Sequence, residues 1–572
     1  ASVKAVIRII TKKAAGEGFG FNNRFVTRHR RTYGWTTLDQ FNFNYRKGGF
    51  DLSGTLFGGK FRSGNNQQLG MITYLDKLWE QEIDARDGKN TESNVQGVLS
   101  LNYQFNEKHS MGVRYDMDKY FNTISDWRFK TNVYTDKELY ETNVSTMLGE
   151  YPSTKHSLNY YYNGQIGDWN IDFNADGLWN IKEETQHTRE VTNGDTEANV
   201  NTFNKNDGTL YAAKLVVSYP LWQGSLSFGG EYSHTDRSNI YINQEGILAD
   251  DDSRIKEGST GAFIDYSRSF GKVDVQAGIR YENVNFDYYE QGKHIDEQSR
   301  MFNNVFPSLN MNFPIGKAQV QLSYSGGITR PSYDMLRSNT YYSNKYTYQT
   351  GNPFLKPVIN QDINLSASYK WINFSFIYNH IKDDIIQISE PYSDTNPTIS
   401  LLNIINAKSY NNIISSVTLS PTISWWNPQF MAQVYKQWFH IDGKDGELTL
   451  SKPRMTLVWR NSFTLPAGFL FDVDGTYYTK GHIQNMYMGI NSLNVSMGLY
   501  KSFFKDRLSF QLQVTNLLEK DDVDCTIHSG IKTTTDYITN FRRISLTMRY
   551  KFNATKSKYK GTGAGESQKN RM

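Results

Sequence analysis

Cysteine is almost absent from the 572 residues: Cys525 stands alone. An internal disulfide and a cysteine-based zinc site are therefore excluded. Long apolar runs are missing too. No stretch approaches the roughly 18 consecutive apolar residues of a membrane helix, which rules out a helical membrane protein. The ten histidines never fall within five residues of one another, so the His-x-x-x-His pair of a helical metal site is excluded. Neither sign of charge dominates: 62 Lys and Arg against 58 Asp and Glu give a net +4, too even a balance for a nucleic-acid partner. No signal peptide is visible. Ala1 opens in the middle of a strand-like run, as expected of a mature fragment that has lost its N-terminus.

What is present is aromatic and turn-forming: 38 Tyr, 33 Phe and 11 Trp, with 44 Gly against 13 Pro. Such a composition leans towards β structure. A polar average does not exclude a membrane, because a barrel alternates apolar and polar residues along each strand. That alternation is the main signal. Leu493, Val495, Met497 and Leu499 interleave with Asn494, Ser496 and Gly498. After the short stretch Phe504 to Arg507, Leu508, Phe510, Leu512 and Val514 alternate again. Two alternating runs joined by a short polar turn make a hairpin.

The unit recurs. Further tight turns are expected at Arg46 to Gly49, Asn106 to His109, Gly167-Asp168, Pro220 to Gly224, Gly271-Lys272 and Pro314 to Lys317. Three more are expected at Ile372-Asn373, Trp425 to Pro428 and Leu465 to Gly468. Long polar connections separate them, among them Asp236 to Lys256, Pro331 to Asn360 and Asp383 to Asn412. Short turns alternating with long loops is the asymmetry of an outer-membrane barrel. The ten turns join twenty strands, and runs near Phe19 to His29 and Phe541 to Asn553 add a first and a last. The expected fold is all-β: a transmembrane antiparallel β-barrel of 22 strands, with short periplasmic turns and long extracellular loops. A propeller should instead repeat one motif at a fixed period, and none recurs here.

The last run supports the assignment. Ile544, Leu546, Met548, Tyr550 and Phe552 form one face, and Arg543, Ser545, Thr547, Arg549 and Lys551 the other. The first face suits lipid and the second a polar lumen, since charge facing lipid near the midplane costs about 2–4 kcal/mol. Trp169, Trp371, Trp425 and Trp426 at strand ends suit an interfacial girdle, or equally ordinary packing at turns.

Ile328-Thr329-Arg330-Pro331-Ser332-Tyr333, followed by Gly351-Asn352-Pro353-Phe354-Leu355-Lys356-Pro357, resembles the mid-barrel signature of TonB-dependent receptors. More closely, it resembles the Bacteroidetes outer-membrane β-barrel branch. Val514-Thr515-Asn516-Leu517-Leu518 is similar to that family's motif near the penultimate strand, and Lys558 to Gly565 resembles the tail of that branch. Val3 to Lys13 resembles the last strand of the family's plug domain.

The resemblance implies three regions: residues 1–18 as the last plug strand and linker, 19–553 as the barrel, and 554–572 as a C-terminal periplasmic tail. It implies an outer-membrane location in a Gram-negative cell of the Bacteroidetes. The implied function is energised uptake of a scarce nutrient: a siderophore, cobalamin, a peptide or a glycan. A passive porin-like or structural barrel is the alternative. Implied partners are outer-membrane lipid, a TonB complex acting through an N-terminal region that this sequence lacks, and a surface lipoprotein lid. With only the end of a plug present, the wide barrel is expected to be an open pore, or else to be filled by another chain or by folded-in loops.

No catalytic constellation, cofactor or metal site is read. Asp250-Asp251-Asp252 is a solvated run rather than a Ca²⁺ site, which needs six to eight oxygens at spaced positions. Tyr341, Tyr342, Tyr346 and Tyr348 are candidates for stacking on a ligand, and equally for holding a long loop together. Arg330, Pro331, Gly351, Asn352, Pro353 and Asn516 are expected to shape loops rather than bind ligand.

Overall fold

The computed structural model describes residues 17–30, 33–64, 66–443, 445–519, 522–530, 532–539 and 542–572. The expected plug strand at Val3 to Lys13 lies outside the described residues.

Alternation turns directly into architecture. The first strand, Gly18–Arg30, pairs antiparallel with Gly34–Lys47 on one side and with the last, Arg543–Phe552, on the other. The sheet thereby closes on itself as a barrel of 22 antiparallel strands among the described residues. Closure removes the unpaired edges that hydrocarbon cannot satisfy. In the last strand Ile544, Leu546 and Met548 are 45%, 43% and 37% exposed, whereas Ser545 between them is 7% exposed. The apolar residues thus point out to lipid, and the intervening ones point into the lumen.

Ten tight turns join consecutive strands on one rim, where both ends of the ring also lie. Two are displaced from their expected positions. Ile372 already opens a strand, and the reversal is made by Lys370 (φ 53°) and Trp371. Trp426 likewise opens a strand, and the reversal falls on Ser424 (φ 52°) and Trp425. In each case a non-glycine residue takes the left-handed conformation, which sequence gives little cause to expect there. Trp169, Trp371 and Trp425 are exposed on this rim.

The opposite rim is more regular than expected. Leu78–Gln104 and His109–Thr135 are each 27 residues long, although roughly 9–11 suffice to cross the hydrocarbon. Much of the expected loop Asp236 to Lys256 is strand: Gly224–Asn243 and Asp251–Phe270 leave only seven residues, 244–250, between them. Above the membrane the outer face of a strand meets water and the inner face, buried against the roof, is itself largely polar, so polarity there no longer marks a loop. Cross-strand pairs such as Arg254 with Asp236, 2.7 Å apart, support the ladder.

Among the described residues the sheet has 30 strands, eight of them in hairpins that extend the wall upward. A separate four-stranded sheet sits inside this palisade: Thr340–Asn344, Thr347–Thr350, Ser400–Asn406 and Ile385–Pro391. It is built from the two connections expected to be irregular loops, and it roofs the barrel. Two apolar cores lie here, above the membrane. Ile255, Phe286 and Tyr288 of the wall enclose Tyr333, Leu336 and Leu355, while Ile386 packs with Tyr410, Phe439 and Leu450.

Residues 554–572, expected in the periplasm, instead enter the lumen. Their partners Asn44, Asp51, Asn174, Asp176 and Glu231 all alternate with lipid-facing neighbours and so point inward. The physical reason is complementarity: backbone N–H groups of this segment meet Asp51, Asp176 and Glu231, and its cations Lys569 and Arg571 meet Asp176 and Glu257.

Candidate functional site

Apart from Asn516, the motif residues singled out in the sequence gather at one place, where the roof meets the wall. Arg330 follows the strand Ala318–Thr329 and is buried, with its Nη2 2.9 Å from Glu282 Oε1. Pro331 turns the chain inward, and Tyr333–Leu336 form one 3₁₀ turn. Gly351, Asn352 and Pro353 close over that turn. Asn352 N–H donates to the Met335 carbonyl at 2.7 Å, and its Nδ2 donates to the Ile404 carbonyl at 2.9 Å. A Cβ at Gly351 would lie 2.6 Å from the Arg337 carbonyl oxygen, so only glycine permits this approach. Arg300 holds the other side by donating to the Pro353 carbonyl at 2.5 Å and the Phe354 carbonyl at 2.8 Å. The two motifs are thus halves of one packed unit, although some 20 residues separate them in sequence.

The tyrosines face the wall rather than open solvent. Tyr342 donates to Glu190 Oε2 at 2.7 Å, and burial together with that carboxylate raises its hydroxyl above the usual tyrosine range. Its ring lies 5.6 Å from Tyr348, which packs edge-on against Tyr392 at 4.9 Å. Tyr341 packs against Tyr241 at 4.8 Å under the Arg337 guanidinium, 3.6 Å from its ring centre. Tyr346 is buried as well. In this arrangement the cluster joins roof to wall. Asn516 lies apart, buried beyond the strand Leu508–Thr515, with φ 52° and its carbonyl accepting from Glu519 N–H at 3.2 Å. Asp250 and Asp251 are engaged by Asn243 N–H and by the Ser253 and Ser338 hydroxyls.

Below the roof is a luminal cavity of about 1000 Å³, lined by Glu231, Ser259, Arg280, Glu282, Arg330 and Asp362 among others. Its charges are cross-linked: Arg280 donates to Glu231 at 3.2 Å and lies 3.8 Å from Glu282. The seam between first and last strands is different in sign. Arg24, Arg28, Arg30, Arg543 and Arg549 lie there on neighbouring inward positions, with Arg24 opposite Arg549 and Arg30 opposite Arg543. The lumen therefore has an acidic side and a basic side.

Sequence reasoning missed Glu231, Glu257, Glu282 and Arg571. The wall carboxylates sit at inward positions of alternating strands, and that pattern could have flagged them. Nothing local distinguishes Arg571.

A closed ring of this width, apolar outside and charged within, defines an outer-membrane β-barrel. Residues 164–550 match the model of the outer membrane protein beta-barrel family. The match spans more than half of the chain, which belongs to that family and resides in the outer membrane. No curated protein matches it in sequence. Among solved structures, it is similar to the FrpB iron transporter from Neisseria meningitidis (F5-1 variant), with a TM-score of 0.58 and 12% identity over 94% of this chain and 83% of that one. It is also similar to the siderophore receptor PirA from Pseudomonas aeruginosa, with a TM-score of 0.56 and 13% identity over 95% of this chain and 82% of that one. The ferric citrate transporter FecA in its unliganded form gives a TM-score of 0.58 and 11% identity over 94% of this chain and 79% of that one.

Proposed function

We propose that this chain is the barrel of a TonB-dependent receptor that takes up a scarce solute by energised transport. One observation carries the reading. A lumen wide enough to hold a 1000 Å³ cavity is closed outwardly by an ordered, four-stranded roof. A passive pore gains nothing from such a roof, whereas a receptor needs a surface that binds first and opens later. Likeness in fold to the siderophore receptor PirA and the FrpB iron transporter supports the same reading. The work of opening comes from a TonB complex, because the outer membrane holds no ATP. A surface lipoprotein lid belongs to the same reading. The tall 27-residue strands stand across the ring from strands of 11 and 10 residues, Ile372–Lys382 and Tyr410–Leu419, which gives it an asymmetric rim to seat on.

The test is uptake by cells expressing the gene, measured with a labelled panel of ferric siderophores, cobalamin, peptides and glycans. Accumulation of one class that stops when an uncoupler collapses the inner-membrane proton gradient is the expected result. Equilibration unaffected by the uncoupler would assign the chain to passive pores.

A further inference from the structure

We propose that residues 554–572 are an intramolecular latch. They occupy a built groove on the luminal wall and clamp the Pro331–Leu336 segment of the roof, so that their release frees the roof.

The segment starts at the short-turn rim, where the last strand ends at Phe552. Its seat begins there. Arg46, itself paired with Asp51, donates to the Lys556 carbonyl at 3.0 Å, and Lys558 N–H donates to Asp51 at 3.0 Å. The Ser53 and Ser557 hydroxyls are 2.7 Å apart. Higher up, the Tyr559 ring stands edge-on to Tyr161 at 4.9 Å, and its hydroxyl donates to Asn159.

Next comes Gly561 to Gly565. Four successive N–H groups are received by the wall: Thr562 and Gly563 by Asn174 Oδ1 at 2.9 and 3.1 Å, Ala564 by Asp176 at 2.7 Å, and Gly565 by Glu231 at 2.7 Å. The two bonds to carboxylates are the stronger kind. Gly563 (φ 76°) and Gly565 (φ 65°) need the left-handed conformation, and a Cβ on Gly565 would lie 2.7 Å from the Ala212 Cβ. The glycine-rich run is therefore the sequence form of a chain lying flat on a carboxylate-lined wall. Lys569 returns to Asp176 at 2.6 Å.

Arg571 makes the clamp. Its Nη1 meets Glu257 at 2.5 Å, both side chains being more than nine-tenths buried. Its Nε donates to the Pro331 carbonyl at 2.8 Å, its own carbonyl accepts from Tyr333 N–H at 3.3 Å, and its guanidinium lies 4.1 Å from the Tyr333 ring centre. The Met572 side chain reaches the bare face of Gly208. Residues 554–564, at most about 36 Å of chain, and the helical turn Glu566–Lys569 thus lead from the short-turn rim to Arg571, which holds the motif on which the roof turns.

The test uses the full chain with Cys525→Ser. Ser53→Cys with Ser557→Cys should form a disulfide in the oxidising periplasm, because the replaced hydroxyls already touch. Ser53→Cys with Ser567→Cys should not. Equal cross-linking of both pairs, or of neither, would overturn the luminal seat. Separately, Arg571→Ala should raise tryptic cleavage of the roof after Arg337 and Lys345 by about tenfold or more, since an unpaired buried charge remains at Glu257. Heat-modifiable mobility and the Ser53–Ser557 cross-link should persist in that variant, which shows that the barrel still folds. Cleavage unchanged in a folded Arg571→Ala barrel would remove the clamp.

Discussion

At the scale of single residues, one position along a strand decides between hydrocarbon and water. Leu546 is 43% exposed on the outer face. Thr547, its neighbour, stands opposite Val26 and Gln511 on the inner one. Leu546→Arg places charge in lipid at a cost of about 2–4 kcal/mol, and it should lower the yield of the heat-modifiable folded species. Thr547→Arg adds a charge to a wet lumen that already carries Arg543 and Arg549, and it should fold at near wild-type yield. Equal yields would contradict the facing of this strand. The same two-residue period explains why the wall carboxylates Asp176, Glu231 and Glu257 come within reach of a single segment, though they lie on three separate strands.

Among the elements, turns and loops differ in what specifies them. A tight turn is specified locally, by a break in alternation and a residue able to take positive φ. A long connection is specified by whatever it packs on. Peptide tags expose the difference. A tag inserted between Gly167 and Asp168 should be hidden from antibody on intact cells. A tag at Gly246, where nothing lies within 4 Å of a built Cβ, should be accessible. Staining of both insertions, or the reverse pattern, would invert or destroy the topology. All ten turns and both end strands were legible in the sequence. Two turns were displaced because Lys370 and Ser424 adopt φ of 53° and 52°, a choice made by strand twist and register rather than by residue type. The tall hairpins were illegible because their outer face meets water and their buried inner face is largely polar, so the apolar alternation fades.

For the whole molecule, the roof governs passage. The sequence allowed an open pore, or a lumen filled by another chain or by folded-in loops. The structure has the second arrangement at its outer mouth, with residues 554–572 added along the wall. In planar bilayers the 572-residue chain should therefore conduct weakly. Excising residues 385–406, which carry two roof strands, should convert it to a large ohmic pore while leaving heat-modifiable mobility intact. Large conductance from the intact chain, or none after excision from a folded barrel, would show that the roof is not the barrier.

The sequence by itself determined the barrel, its strand number and its lipid face, because each is written at short range as period-two alternation and turn chemistry, while the paired motifs stood out by their resemblance to a known family. Only the tertiary structure decided where those motifs meet, that the tyrosines face the wall, and that Glu231, Glu257 and Glu282 share one lumen with Arg571. These contacts span up to 314 positions of chain, as between Arg571 and Glu257. No local pattern encodes such a pairing. It follows from ring closure, which brings every inward-facing strand position onto one enclosed surface.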